Sequence, residues 1–148
     1  MKTSEKVLPL QKKAPKQPIT IFLVEDDKLY LHAVGFNLNK RKEYKIFCYS
    51  SGEDCLKNMS LNPDIVILDY YLNETNPESL DGLTVLLEIK KIKPSTIVIM
   101  LSSQKNLTVA MRTLKAEAYT YLIKNKQTLS QLNEVIDQVV NNIGLGNK

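Results

Sequence analysis

The chain has 148 residues, 43% of them hydrophobic and 24% charged, ordinary proportions for a globular protein. No apolar run approaches the roughly 20 residues that cross a bilayer, which excludes a membrane-spanning helix. The short run Val7–Leu10, interrupted by Pro9, does not make a secretory signal. Two cysteines, Cys48 and Cys55, are too few for a disulfide framework and lack zinc-site spacing. They read as small buried or half-buried apolar residues in a reduced, cytoplasmic setting. The formal net charge of +4 points at face value to an acidic partner such as nucleic acid. Its location removes that inference. Lys2, Lys6, Lys12, Lys13 and Lys16, set against Glu5, account for the whole excess, so residues 19–148 are neutral.

Residues 1–18 also hold Pro9, Pro15 and Pro18 and show no apolar period, so they read as a basic, disordered tail. From Ile19 onward, short apolar runs alternate with helical patterns. Ile19–Val24 is a β-branched strand ending in Glu25, Asp26 and Asp27. Leu29–Asn39 follows as a helix with Leu31, Val34 and Leu38 on one face, and His32 on its surface. Lys45–Tyr49 is a second strand. Ser51-Gly52-Glu53 opens a short helix through Cys55, Leu56 and Met59, and Pro63 marks the next turn. Ile65–Leu68 is a third strand, ending on Asp69. A polar loop with Asn73, Asn76 and Pro77 reaches Asp81-Gly82 and a helix over Leu83–Ile92, stopped by Pro94. Ile97–Leu101 is a fourth strand ending on Ser102 and Ser103, before a helix over Leu107–Leu114. Ala118–Ile123 is a fifth strand ending on Lys124. The last helix runs from Leu129 to about Asn142, with Leu132, Val135, Ile136, Val139 and Val140 inward, and stops near Gly144 and Gly146.

Five strand–helix repeats predict an α/β fold with a doubly wound, mostly parallel sheet. In such sheets ligands bind at the carboxyl ends of the strands. Those ends carry Glu25, Asp26, Asp69, Ser102 and Lys124. Converging carboxylates repel unless a cation or proton neutralises them. Hard oxygen donors with room for water suit Mg²⁺. Lys124 offers a point charge, and Ser102 a hydroxyl, for phosphoryl oxygens. An Asp beside a divalent cation can act as a nucleophile toward phosphorus. The residues therefore suggest phosphoryl transfer to an aspartate.

The chain resembles the receiver domain of bacterial two-component response regulators. The matching pieces are Ile21–Asp27, Pro63–Asp69, Asp81-Gly82, Ile97–Ser103 and Tyr121–Lys124, in that order. The resemblance implies a five-stranded, flavodoxin-like (βα)5 receiver fold over 19–148, with strand order 2-1-3-4-5. It implies that Asp69 is the phosphoacceptor, that Asp26 binds Mg²⁺ directly and Glu25 through water, and that the main-chain carbonyl of Tyr71 completes the metal site. Ser102 would be the switch hydroxyl, Lys124 the phosphoryl-binding lysine and Tyr121 the switch aromatic. Asp27 is expected to be no ligand. The phosphoryl donor would be a histidine kinase or histidine phosphotransfer protein. A downstream protein or a second copy of the chain would bind a face of helix 4, strand 5 and helix 5.

The chain also departs from the family pattern. Met-Pro is usual at the positions of Leu72 and Asn73, and Gly82 comes late, so the loop over 72–81 looks expanded by about five residues where connections of about 2–6 are usual. Asn125 follows Lys124 where the family has proline with a cis bond; a non-proline cis bond costs about 2.5–4 kcal/mol, so trans is expected. Tyr71 and Gln104 occupy the two positions that influence phosphoryl loss, and Tyr71 is expected to shield the site. Two rivals stand beside the phosphoacceptor: a non-phosphorylated pseudo-receiver used for docking, and an aspartyl phosphatase. The phosphatase reading lacks a second Asp two residues after Asp69, where Tyr71 stands. The expectation is a non-enzymatic, stand-alone regulator without direct DNA binding, because the last helix ends close to the C-terminus.

Overall fold

The apolar runs form the strands of one parallel sheet: β1 (Ile19–Val24), β2 (Tyr44–Tyr49), β3 (Ile65–Asp69), β4 (Ile97–Ser102) and β5 (Thr120–Ile123). These come from a computed structural model that describes residues 17–143. The expected tail therefore lies outside the described residues, apart from Gln17 and Pro18, as do Gly144 and Gly146. The strand order is β2-β1-β3-β4-β5, as the family resemblance implied. Among the described residues five α-helices connect or follow the strands: α1 (Lys28–Leu38), α2 (Gly52–Lys57, followed by a 3₁₀ turn at Met59–Leu61), α3 (Gly82–Ile92), α4 (Leu107–Lys115) and α5 (Thr128–Ile143). None of the described helices is long and apolar enough to cross a membrane.

Strands β1, β3 and β4 are apolar at nearly every position because the sheet is covered on both faces. Successive side chains alternate between the faces. Ile21, Leu23, Ile65, Ile67, Ile99 and Leu101 enter one layer, closed by Leu31, Val34 and Leu38 of α1 and Leu132, Ile136 and Val139 of α5. Phe22, Val24, Val66, Leu68, Val98 and Met100 enter the other, closed by Cys55, Val85, Leu86, Ile89 and Val109. Edge strand β2 is only partly covered, and this exposes Cys48 where a half-buried residue was expected, whereas Cys55 is buried. His32 is exposed on α1.

Helix starts follow side-chain caps. Asp27, Ser51, Asp81 and Asn106 each accept a hydrogen bond from a backbone N–H of the first turn they precede. Strand β5 begins two residues later than predicted, for a local reason. Glu117 adopts φ 75° and the Ala118 N–H still donates to Thr113 O at 3.0 Å, closing the end of α4. The ladder to β4 resumes at Tyr119, whose N–H donates to Val98 O at 2.7 Å.

Candidate functional site

Three loops at the carboxyl edge of the sheet build the site. Beyond β1, the Glu25 N–H extends the ladder to Tyr49 O at 3.0 Å, and Glu25 stays 2% exposed. Asp27 caps α1, its side chain accepting from the Leu29 and Tyr30 N–H groups. Asp69 is the last residue of β3 and 4% exposed. Gly82 sits against the backbone of Asp69 and Tyr70, a contact that leaves no space for a Cβ. Lys124 follows β5, its N–H donating to Ser102 O at 2.8 Å.

Carboxylate oxygens of Glu25, Asp26 and Asp69 lie within 4.8 Å of one another. Lys124 Nζ reaches between them, 2.6 Å from Glu25 Oε1 and 3.3 Å from Asp69 Oδ1. The second oxygen of Glu25 accepts from the Asp27 N–H at 3.1 Å. Above the group is a cleft of about 190 Å³, which Tyr71 and Tyr30 also line. Burial first, and then the Asp69 charge, push the Glu25 carboxyl up to about 7, against the opposing pull of Lys124. Burial likewise raises the Asp69 carboxyl, with Lys124 pulling the other way. Burial alone would lower Lys124, but the Asp69 and Glu25 carboxylates outweigh it and its ammonium holds its proton more tightly. One ammonium thus contacts two desolvated carboxylates, with a third, half-buried, beside them. That imbalance, with oxygen donors only and an open cleft, fits a small hard cation such as Mg²⁺.

Ser102 and Tyr121 stand apart from this cluster. Ser102 is fully buried, and its Oγ accepts from the Gln104 N–H at 3.2 Å; Ser103, not Ser102, lines the cleft. Tyr121 donates its hydroxyl to Gln104 O at 3.0 Å and borders a separate groove of about 410 Å³ beside Leu107 and Ala110. Gln104 therefore joins Ser102 and Tyr121 through the two ends of one residue's backbone. Tyr71 is half-buried and packs edge-on against Tyr70, with ring centroids 4.8 Å apart. Asn125 stands in a loop without a cis peptide bond. Its N–H donates to Thr128 Oγ1 at 2.7 Å, a bond a proline could not make.

Two contributors were not singled out from the sequence. Tyr30 lies with its ring centroid 4.6 Å from Lys124 Nζ, a cation–π contact that helps aim the ammonium. Its position in the first turn of α1, just beyond the acidic strand end, was the available signal. Thr75 donates its hydroxyl to Asp26 Oδ2 at 3.2 Å. Only the unusual length of its loop marked it in advance.

The family model described as the response regulator receiver domain matches residues 21–137. The transcriptional regulatory protein GlrR of Escherichia coli (strain K12) is 26% identical over 126 residues, covering 82% of this chain and 27% of that protein. CssR of Bacillus subtilis (strain 168), also a transcriptional regulatory protein, is 34% identical over 85 residues, covering 57% of this chain and 35% of that protein. The chain thus spans about a third or less of these two relatives. A CheY-like response regulator receiver domain protein from Methanospirillum hungatei JF-1 superposes with a TM-score of 0.68 at 20% identity, covering 82% of this chain and 96% of that one. Sheet order, acidic strand ends and the matched span agree, and the chain belongs to the response regulator receiver domain family.

Proposed function

We propose that this receiver domain accepts a phosphoryl group on Asp69 from a histidine kinase or histidine phosphotransfer protein. The observation that carries the reading is the buried Asp69 carboxylate, 3.3 Å from Lys124 Nζ and grouped with Glu25 and Asp26. Asp26, Asp69 and the Tyr71 carbonyl would hold Mg²⁺, with Glu25 acting through water. A bound Mg²⁺ would neutralise charge on the carboxylates and on the phosphoryl oxygens. One Asp69 oxygen forms the O–P bond as the P–N bond of the donor phosphohistidine breaks; the histidine nitrogen keeps the electron pair and takes up a proton. Lys124 moves from the carboxylates toward a phosphoryl oxygen.

Ser102 would turn its hydroxyl to another phosphoryl oxygen and release the Gln104 N–H. Because Tyr121 is bonded to the carbonyl of the same residue, that release would shift Tyr121 and the population of the α4–β5–α5 face. Leu107, Met111 and Leu114 stand exposed on α4 and give this face apolar surface for a downstream protein or a second copy. The neutral charge of residues 19–148 supports assigning no DNA contact to this domain. Two free thiols suit a cytoplasmic location. The role is that of a phosphoacceptor and not of a turnover enzyme.

The test is incubation with acetyl phosphate and Mg²⁺, read by intact mass. One phosphoryl adduct is expected on the wild-type chain, and none without Mg²⁺ or in Asp69→Asn. Failure with every donor would replace this reading with the docking pseudo-receiver. Rapid multiple turnover of a phosphate ester would replace it with the phosphatase.

A further inference from the structure

The connection from β3 to α3 is long for an α/β unit, where about 2–6 residues are usual. It is also tied down at both ends. At the far end the Leu80 N–H donates to Glu53 Oε2 at 3.0 Å, and the Gly82 N–H donates to Tyr70 O at 2.8 Å. Between the ends, the Ser79 N–H donates to Asn76 O at 2.9 Å. At the near end Thr75 meets the acidic cluster itself: its hydroxyl donates to Asp26 Oδ2 at 3.2 Å, and its N–H lies 3.4 Å from the same oxygen. Glu74 beside it lines the cleft.

Asp26 is the member of the cluster most in need of such a hold. Both oxygens of Glu25 are engaged, by Lys124 and the Asp27 N–H, and Asp69 faces Lys124. Asp26 is only half-buried, and Thr75 supplies the hydrogen bonds its carboxylate receives among the described residues. A carboxylate bonded through one oxygen is fixed in rotation and presents the other in a defined direction.

We propose that Thr75 is a positioning residue for the acidic site: its hydroxyl turns the Asp26 carboxylate into the cleft and couples the 73–80 strap to the cation held there. This rests on the phosphoacceptor reading, from which the cation comes. Partners of this kind that orient a metal ligand typically contribute about 10–100-fold in affinity. Coupling between two events is reciprocal, so a cation on Asp26 also favours the ordered strap.

Calorimetric titration of the full chain with MgCl₂ tests the hydroxyl. Thr75→Val, which keeps the shape and loses the donor, is expected to bind Mg²⁺ about tenfold more weakly, and Thr75→Ser to stay close to wild type. Amide hydrogen exchange supplies a metal-free readout: exchange over residues 74–79 should be faster in Thr75→Val than in wild type, and should slow in wild type when Mg²⁺ is added. Equal Mg²⁺ affinity in wild type and Thr75→Val overturns the proposal. So does equal weakening in Val and Ser, or unchanged exchange in Thr75→Val. A wild-type chain that takes up neither Mg²⁺ nor a phosphoryl group overturns the phosphoacceptor reading as well. Wild-type uptake with an unaffected Thr75→Val overturns the positioning role alone.

Discussion

Lys124 is the residue on which the site turns. It reaches two buried carboxylates at 2.6 and 3.3 Å while an aromatic ring faces its ammonium from the side. Desolvated charges are costly unless paired, so this arrangement holds the ammonium in place. Tyr71 stands at the rim of the same cleft, braced by Tyr70. Its ring is partly buried against the apolar layer that Leu68 and Val85 belong to. Tyr71→Asn is expected to speed loss of the phosphoryl group from Asp69, on the order of tenfold, equivalent to about 1.4 kcal/mol of barrier. The decay of the mass adduct after donor removal measures it; equal or slower decay in the variant would dismiss the shielding role.

At the level of elements, the junction of β3 with α3 sets the geometry around Asp69. Asp81 caps α3 through the Thr84 N–H at 2.8 Å, and Gly82 fits beneath the strand end. A Cβ on Gly82 would press on Asp69 O and lie 2.6 Å from Tyr70 Cα and 2.8 Å from Tyr70 O. These are backbone atoms that cannot swing aside. Gly82→Ala is expected to cost about 1–3 kcal/mol, as overpacking does, and to slow phosphorylation by displacing Asp69. Urea unfolding and the acetyl phosphate reaction measure the two effects, and an unchanged midpoint would show that the junction yields. The Asp81-Gly82 pair was legible in the sequence as the lead into a helix, which is a local signal, whereas the contact that forbids a Cβ on Gly82 joins it to residues at the end of β3. The strap over 73–80 was legible only as extra length, because its bonds to Asp26 and Glu53 join residues far apart in the chain.

Across the whole molecule, two apolar layers share one sheet, and edge strand β2 is the least covered part. Arg41 braces this side, its two terminal nitrogens donating to Asp137 of α5 at 3.0 and 3.2 Å. Tyr44 lies beneath, with the Arg41 guanidinium 5.2 Å from its ring centroid. Its hydroxyl is buried without a hydrogen-bond partner among the described residues. Burial pushes that phenol from 10.0 up to about 12. In the unfolded chain Tyr44 ionises near its ordinary value, while the folded chain keeps the proton. Folded stability attributable to this group is therefore complete below about pH 10 and is lost as pH rises toward 12. Tyr44→Phe should remove that part of the alkaline loss. At neutral pH it should leave stability unchanged or raise it by about 1 kcal/mol, since a buried unpaired hydroxyl is costly. Urea midpoints across the alkaline range test this; an unaltered alkaline slope would place the titration elsewhere.

The strands, the helices, their alternation and the side chains at the strand ends could all be read from the chain. Apolar period, caps and turn residues are local signals, and a parallel sheet brings its carboxyl ends to one edge. Glu25, Asp26, Asp69 and Lys124 followed from that rule, and counting charges along the chain showed residues 19–148 to be neutral. Which of these groups touch is set by the packing of the folded chain. Lys124 and Glu25 are 99 positions apart, Thr75 and Asp26 are 49 apart, and no periodicity encodes such distances. That packing also decided that Ser102 turns toward Gln104 and not into the cleft, and that Tyr30 flanks the ammonium. Those choices depend on how loops pack against one another, where side-chain direction is set by neighbours from distant segments.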